Sequence, residues 1–167
     1  MRHFRQDTPW LPFDAIVWLD AVVNENMRVF EWGSGGSTIF LAQRCQSVMS
    51  VEIDASWVER TMSRAEELGL DNVQVLHIAP SDPYYSSVLA LQPQKFDLIF
   101  IDGKERLRCA EAAIKKIAKG GIILFDNSDA AAHKDDVVPL RATGWPETYI
   151  EGDGVGGHWA ASAWRVP

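Results

Sequence analysis

Two runs in this chain, Phe96-Asp97-Leu98-Ile99-Phe100-Ile101 and Ile122-Ile123-Leu124-Phe125, are apolar almost without interruption. A strand with one wet face alternates apolar and polar residues. One that is apolar throughout needs cover on both faces, the condition met in a parallel sheet flanked by helices. The rest of the chain supplies that cover. Strand-like runs at Arg28 to Trp32, Ser47 to Glu52 and Val73 to Ile78 alternate with helical patterns at Ser37 to Arg44, Ser56 to Leu68 and, less regularly, Tyr84 to Leu91, as βαβ units do. A helix from Leu107 to Ala118 precedes the Ile122 run, and an opening helix from Phe13 to Val23 has Pro12 in its first turn.

After Asp126 the pattern changes: Glu147 to Glu151 and His158 to Arg165 read as two strands with no helix between them, a closing hairpin. The 167 residues contain no repeat, linker or low-complexity stretch, so one domain over residues 1–167 is expected, with an N-terminal helical segment at 1–26. No apolar run approaches the roughly 18 residues needed to cross a bilayer, and Met1 to Trp10 is polar, which predicts no membrane association and a cytoplasmic location. Cys45 and Cys109 have no CxxC spacing and read as buried thiols. A formal charge of −7 gives no basic footprint for phosphate backbones and disfavours a nucleic-acid substrate. Seven tryptophans, several outside the clear strands, are consistent with a homodimer.

The first strand runs straight into Phe30-Glu31-Trp32-Gly33-Ser34-Gly35-Gly36-Ser37-Thr38 and then a helix. Glycines there let the backbone approach a ligand, and a helix amino terminus offers free N–H donors. About twenty residues on, Glu52 ends the second strand, where a carboxylate can accept both hydroxyls of a ribose. The combination points to an adenosine-containing cofactor. A dinucleotide is disfavoured, because the third glycine position of its fingerprint is occupied by Thr38 and because Glu31 would repel a pyrophosphate.

At these residues the chain resembles the class I S-adenosylmethionine-dependent methyltransferases, whose first motif reads acid-x-Gly-x-Gly-x-Gly. Glu31, Gly33 and Gly35 match it, and Ser37 stands at the last glycine. The resemblance implies a Rossmann-like doubly wound α/β sheet of seven strands, mostly parallel with an antiparallel final strand. It implies S-adenosylmethionine as cofactor, with Glu31 holding the methionine amino end directly or through water, Gly33, Ser34, Gly35, Ser37 and Thr38 forming the loop, and Glu52 on the ribose. Ile53 and Trp57 fall beside the ribose and adenine, and Ser81-Asp82 near the adenine amino group. Trp57 reads equally as helix core, and Ser81-Asp82 as a helix cap.

Two further strand ends carry acids: Asp102 after the fourth strand and Asp126-Asn127 after the fifth. In a parallel sheet these ends open on one crevice, and three hard oxygen ligands suit Mg²⁺ or Ca²⁺. The pairing resembles the metal-dependent catechol and caffeoyl-CoA type O-methyltransferases, which implies Asp102, Asp126 and Asn127 as metal ligands. Lys104 does not stand at the offset of that family's lysine base. The alternative is a metal-free turn shaped by Asp126 and Asn127, with Asp102 as a helix cap. The expected activity is methylation of a small-molecule or glycan hydroxyl, with Asp102 and Lys104 as catalytic candidates and Asp102 also facing the cofactor. Arg106 and His133 are further candidates for acceptor binding, while His158 reads as a surface residue. The alternative function is a non-catalytic S-adenosylmethionine-binding module acting as a partner subunit.

Overall fold

The computed structural model describes residues 7–78, 84–91 and 95–167. Its elements run α1 (Phe13–Val22), β1 (Arg28–Trp32), α2 (Gly36–Ala42), β2 (Ser47–Glu52), α3 (Ala55–Glu67), β3 (Val73–His77), α4 (Ser87–Ala90), β4 (Phe96–Ile101), α5 (Arg106–Lys116), β5 (Ile117–Phe125), α6 (Val138–Ala142), β6 (Glu147–Gly154) and β7 (Gly157–Arg165). The seven strands form one sheet in the order β3-β2-β1-β4-β5-β7-β6. All neighbouring pairs from β3 to β5 are parallel, and β7 lies antiparallel to both β5 and β6. This is the sheet that the resemblance implied.

The apolar runs divide their side chains between the two faces as strand geometry requires. Leu98 and Phe100 of β4 join Val29, Ile122 and Leu124 in a core shared with Ala15 and Leu19 of α1 and Phe40 and Leu41 of α2. Ile99 and Ile101 face the other way, with Ile123, Phe125 and the Cys109, Ala110 and Ala113 side of α5. Both faces are therefore covered. α3 begins at Asp54, whose Oδ1 accepts from the Ser56 amide at 2.8 Å, and it ends where the Leu70 amide bonds back to the Ala65 carbonyl at 2.9 Å.

Besides α4, which is confined to Ser87–Ala90, and β6, which runs on to Gly154, two elements differ from the sequence expectation. The chain leaves α5 at Ile117, which is extended (φ −68°, ψ 139°), so β5 begins five residues before the Ile122 run and pairs Ile117 with Phe96 before its register shifts. α6 is absent from the sequence reading because five residues are too few to show a helical period. The tryptophans are accounted for within the chain: Trp32 and Trp164 are buried, Trp18 and Trp145 pack against the cores, and Trp10, Trp57 and Trp159 line a cavity. Among the described residues no helix is long and apolar enough to cross a membrane.

Phe100 is fully enclosed at the centre of the sheet. Phe100→Ala should lower the unfolding free energy by about 3 to 5 kcal/mol, read from urea denaturation followed by circular dichroism.

Candidate functional site

Strand order reverses between β1 and β4, so the connections leaving their carboxyl ends diverge and leave a crevice. The ends are aligned there: the Asp102 amide donates to the Trp32 carbonyl at 3.1 Å and the Asp126 amide to the Ile101 carbonyl at 3.2 Å. A cavity of about 580 Å³ opens at this point, lined by Ser34, Gly35, Ser37 and Trp57 on one side and by Asp102, Asp126 and Asn127 on the other. The size is that of a small-ligand site.

The glycine turn opens the loop between β1 and α2. Gly33 has φ +95° and Gly35 φ +153°, conformations that side chains with a Cβ rarely adopt. Beneath the turn, Glu31 is fully buried and accepts three hydroxyls: Ser37 Oγ on Oε1, and Thr38 Oγ1 at 2.7 Å and Ser50 Oγ at 2.6 Å on Oε2. Thr38 Oγ1 also accepts from the Gly35 amide at 3.0 Å. Burial raises the Glu31 pKa, against the lowering effect of the three hydroxyls. Glu31 does not itself line the cavity; Ser37, which it holds, does. Glu31 thus lies beneath the loop, where it anchors Ser37 and Thr38.

Glu52 plays a parallel part on the neighbouring strand. Its Oε2 accepts from the Ser34 amide at 2.9 Å and its Oε1 from the amides of Ile53 at 2.8 Å and Asp54 at 3.0 Å. Trp57 comes into the cavity wall, whereas Thr38 is buried away from it and Ile53 packs against the core. Ser81 and Asp82 lie outside the described residues.

On the far side, Asp126 is buried and its Oδ1 accepts from the Trp159 indole N–H at 2.8 Å. Loss of hydration pushes its pKa up to about 6. Asp102 is raised as well, by burial first and then by the neighbouring Asp126 charge, with Arg106 opposing. Arg106, the first residue of α5, turns back over these strand ends. Its Nη2 donates to Asp102 Oδ1 at 2.9 Å and Nη1 to the Asp126 carbonyl at 2.6 Å. Asn127 occupies a left-handed turn, φ +54°. One oxygen each of Asp102, Asp126 and Asn127 is therefore already engaged by a guanidinium or an indole, and with the Arg106 cation fixed beside them the donor set does not fit an added metal.

Lys104 is exposed and faces a separate, shallower depression with Arg108 and His133, so the cavity does not receive it. His133 is paired with Asp136 at 2.7 Å, and His158 is exposed beside Asp153. The outer wall is made of residues that the sequence reading does not single out. Trp10, Phe13 and Ile16 from the N-terminal segment meet Val155, Gly156 and Trp159 from the β6–β7 hairpin. Trp10 Nε1 donates to the Val155 carbonyl at 2.6 Å across 145 residues. Asp7 and Arg64 form a two-pronged ion pair at 2.6 and 2.7 Å that fixes the same segment to α3. No local signal announces contacts between residues so far apart in sequence.

Among solved structures, the fold is similar to an O-methyltransferase from Bacillus cereus in complex with SAH, at TM-score 0.69 and 23% identity over 84% of this chain and 74% of that one. It is also similar to the O-methyltransferase TomG from Streptomyces achromogenes in complex with SAM, at TM-score 0.67 and 22% identity over 84% of this chain and 73% of that one. In sequence, the chain is 31% identical over 109 residues to the 23S rRNA (uracil(1939)-C(5))-methyltransferase RlmD of Alteromonas mediterranea, a match covering 63% of this chain and 22% of that protein. The chain thus spans about a fifth of the length of that relative. Residues 30–128, which hold the glycine turn, Glu52, Asp102 and Asp126, match the model of the methyltransferase domain family, and the chain belongs to that family.

Proposed function

We propose that the chain is a single-domain S-adenosylmethionine-dependent methyltransferase that acts on a hydroxyl of a small-molecule or glycan acceptor. One observation carries this reading: a single cavity joins the glycine turn to two strand-end carboxyls. S-adenosylmethionine, when bound, supplies an electrophilic methyl on a positively charged sulfur. Ser34, Gly35, Ser37 and Trp57 would line its site, with Glu31 and Glu52 supporting the loop from below. These acids together with Asp102 and Asp126 stand around the cavity against one guanidinium, Arg106, a balance that favours a cationic ligand over a pyrophosphate. The two O-methyltransferase neighbours, one in complex with SAH and the other with SAM, support the same cofactor.

The acceptor would lie between Trp10, Phe13, Val155 and Trp159, with the carboxyls of Asp102 and Asp126 at one end. Such walls suit an aromatic ring or the apolar face of a sugar. Asp126, with a pKa of about 6, is ionised at neutral pH and is a stronger base than an ordinary carboxylate. It or Asp102 would accept the hydroxyl proton. Holding the acceptor in line for transfer would lower the barrier by about 7 to 11 kcal/mol.

The Alteromonas relative raises a second reading, an RNA base as acceptor. The charge of −7 and the acidic cavity count against it. So does the state of the thiols, the nucleophiles that could add to a base: Cys45 is buried with its pKa pushed up to about 11, and neither cysteine lines the cavity.

Calorimetry should show S-adenosylmethionine binding that weakens at least tenfold in Glu52→Ala and is lost in Gly35→Val, with NAD giving no signal. Tight NAD binding instead would overturn the cofactor assignment. Turnover is to be read by mass spectrometry with phenols, glycosides and rRNA fragments; methylation of RNA alone would favour the second reading, and binding without turnover a non-catalytic module.

A second prediction concerns pH. Asp126 holds its proton more tightly folded than unfolded, so its contribution to stability is full below about pH 4, the range of an unperturbed carboxylate, and is lost as pH rises through about 6. Asp126→Asn should remove up to about 3 kcal/mol of this pH dependence, measured by urea denaturation from acid to neutral pH. Activity should rise through the same upper limit as the carboxylate ionises.

A further inference from the structure

All five N–H groups of Arg106 are engaged. Nε donates to the Gly103 carbonyl at 3.1 Å, Nη1 to the Asp126 carbonyl at 2.6 Å and to Asn127 Oδ1 at 3.3 Å, and Nη2 to the Asp102 carbonyl at 3.2 Å and to Asp102 Oδ1 at 2.9 Å. The side chain is 9% exposed and its guanidinium lies 5.7 Å from the centre of the Phe125 ring. A planar fork with five fixed donors can tie two strand ends together in a way that an ammonium, a point charge with three donors, cannot.

We infer that the Arg106 guanidinium takes the place of a divalent cation at the ends of β4 and β5, so that the acceptor is engaged through one hydroxyl rather than by chelation of a vicinal pair. A cation entering among Asp102, Asp126 and Asn127 would sit beside a fixed positive charge, and could take Asp102 Oδ1 or Asn127 Oδ1 as a ligand only by displacing a donor whose every N–H is satisfied. Asp126 Oδ1 is further committed to Trp159, and among the described residues no group of three or more His, Cys, Asp and Glu side chains is gathered as a metal site requires. Arg106 is on this account a positioning residue: it sets the spacing and charge of the carboxyls without itself lining the cavity. Only the statement about the acceptor rests on the transferase reading; the exclusion of metal does not.

The test is a titration of the full chain with MnCl₂, MgCl₂ and CaCl₂ in the absence of S-adenosylmethionine. Wild type should give no binding heat at millimolar metal, no bound Mn²⁺ signal by electron paramagnetic resonance, and a melting temperature unchanged by EDTA. Arg106→Gln should gain a Mn²⁺ signal and a rise in melting temperature with Ca²⁺, and the double variant Arg106→Gln/Asp126→Asn should lose both. Stoichiometric Mn²⁺ uptake by wild type that disappears in Asp102→Asn overturns the inference, as does a folded Arg106→Gln that takes up no metal. If Arg106→Gln does not fold, Arg106→Lys replaces it: the retained charge should keep metal out, and metal uptake by this variant counts against the role of the charge. With an acceptor in hand, full turnover in EDTA supports the inference and its loss refutes it.

Discussion

The parallel pairing of β1 with β4 governs most of what this molecule can do. These two strands meet at the centre of the sheet, and the chain leaves β1 toward β2 but leaves β4 toward β5. Connections that depart in opposite directions cannot cover the edge between them. Glycine turn and acidic strand ends thus come to face one another across a gap that the topology itself leaves open. The apolar runs of β4 and β5 serve the same end, since strands covered on both faces hold their carboxyl ends in fixed positions.

Around that gap, buried charge is organised by hydrogen bonds more than by opposite charge. Glu31 sits among three hydroxyls, Glu52 among backbone amides, and Asp126 against an indole. Each of these partners donates to the carboxyl without bringing a positive charge beside it. The exception is Asp102, whose neighbour is a full cation. The two halves of the crevice therefore differ in character: the glycine-turn side is held by neutral donors alone, the strand-end side by an indole and one guanidinium.

Much of this is legible from residue order. The bounds of β1, β2 and β4 follow from their apolar patterns, and the glycine turn with its two acids follows from spacing. Trp57, for which core packing is an equal reading in sequence, stands in the cavity wall. What residue order does not carry are relations that depend on side-chain reach. Glu31 and Lys104 stand next to the cavity in sequence, yet one points beneath the loop and the other outward. Arg106 reads in sequence as a candidate for acceptor binding; five residues past the end of β4, its side chain instead bonds to the neighbouring end of β5. The cavity's aromatic wall depends on the register of a hairpin against the N-terminal segment, which no local pattern encodes.

The bond between the Trp10 indole and the Val155 carbonyl spans 145 residues of chain. A ribosome delivers these two pieces at well-separated times. Until the hairpin has emerged and paired with β5, the glycine turn exists without its outer wall, and a ligand reaching the nascent chain meets an open shelf rather than an enclosed site. The finished cavity is thus a product of late assembly, and any ligand held there stabilises both rims together.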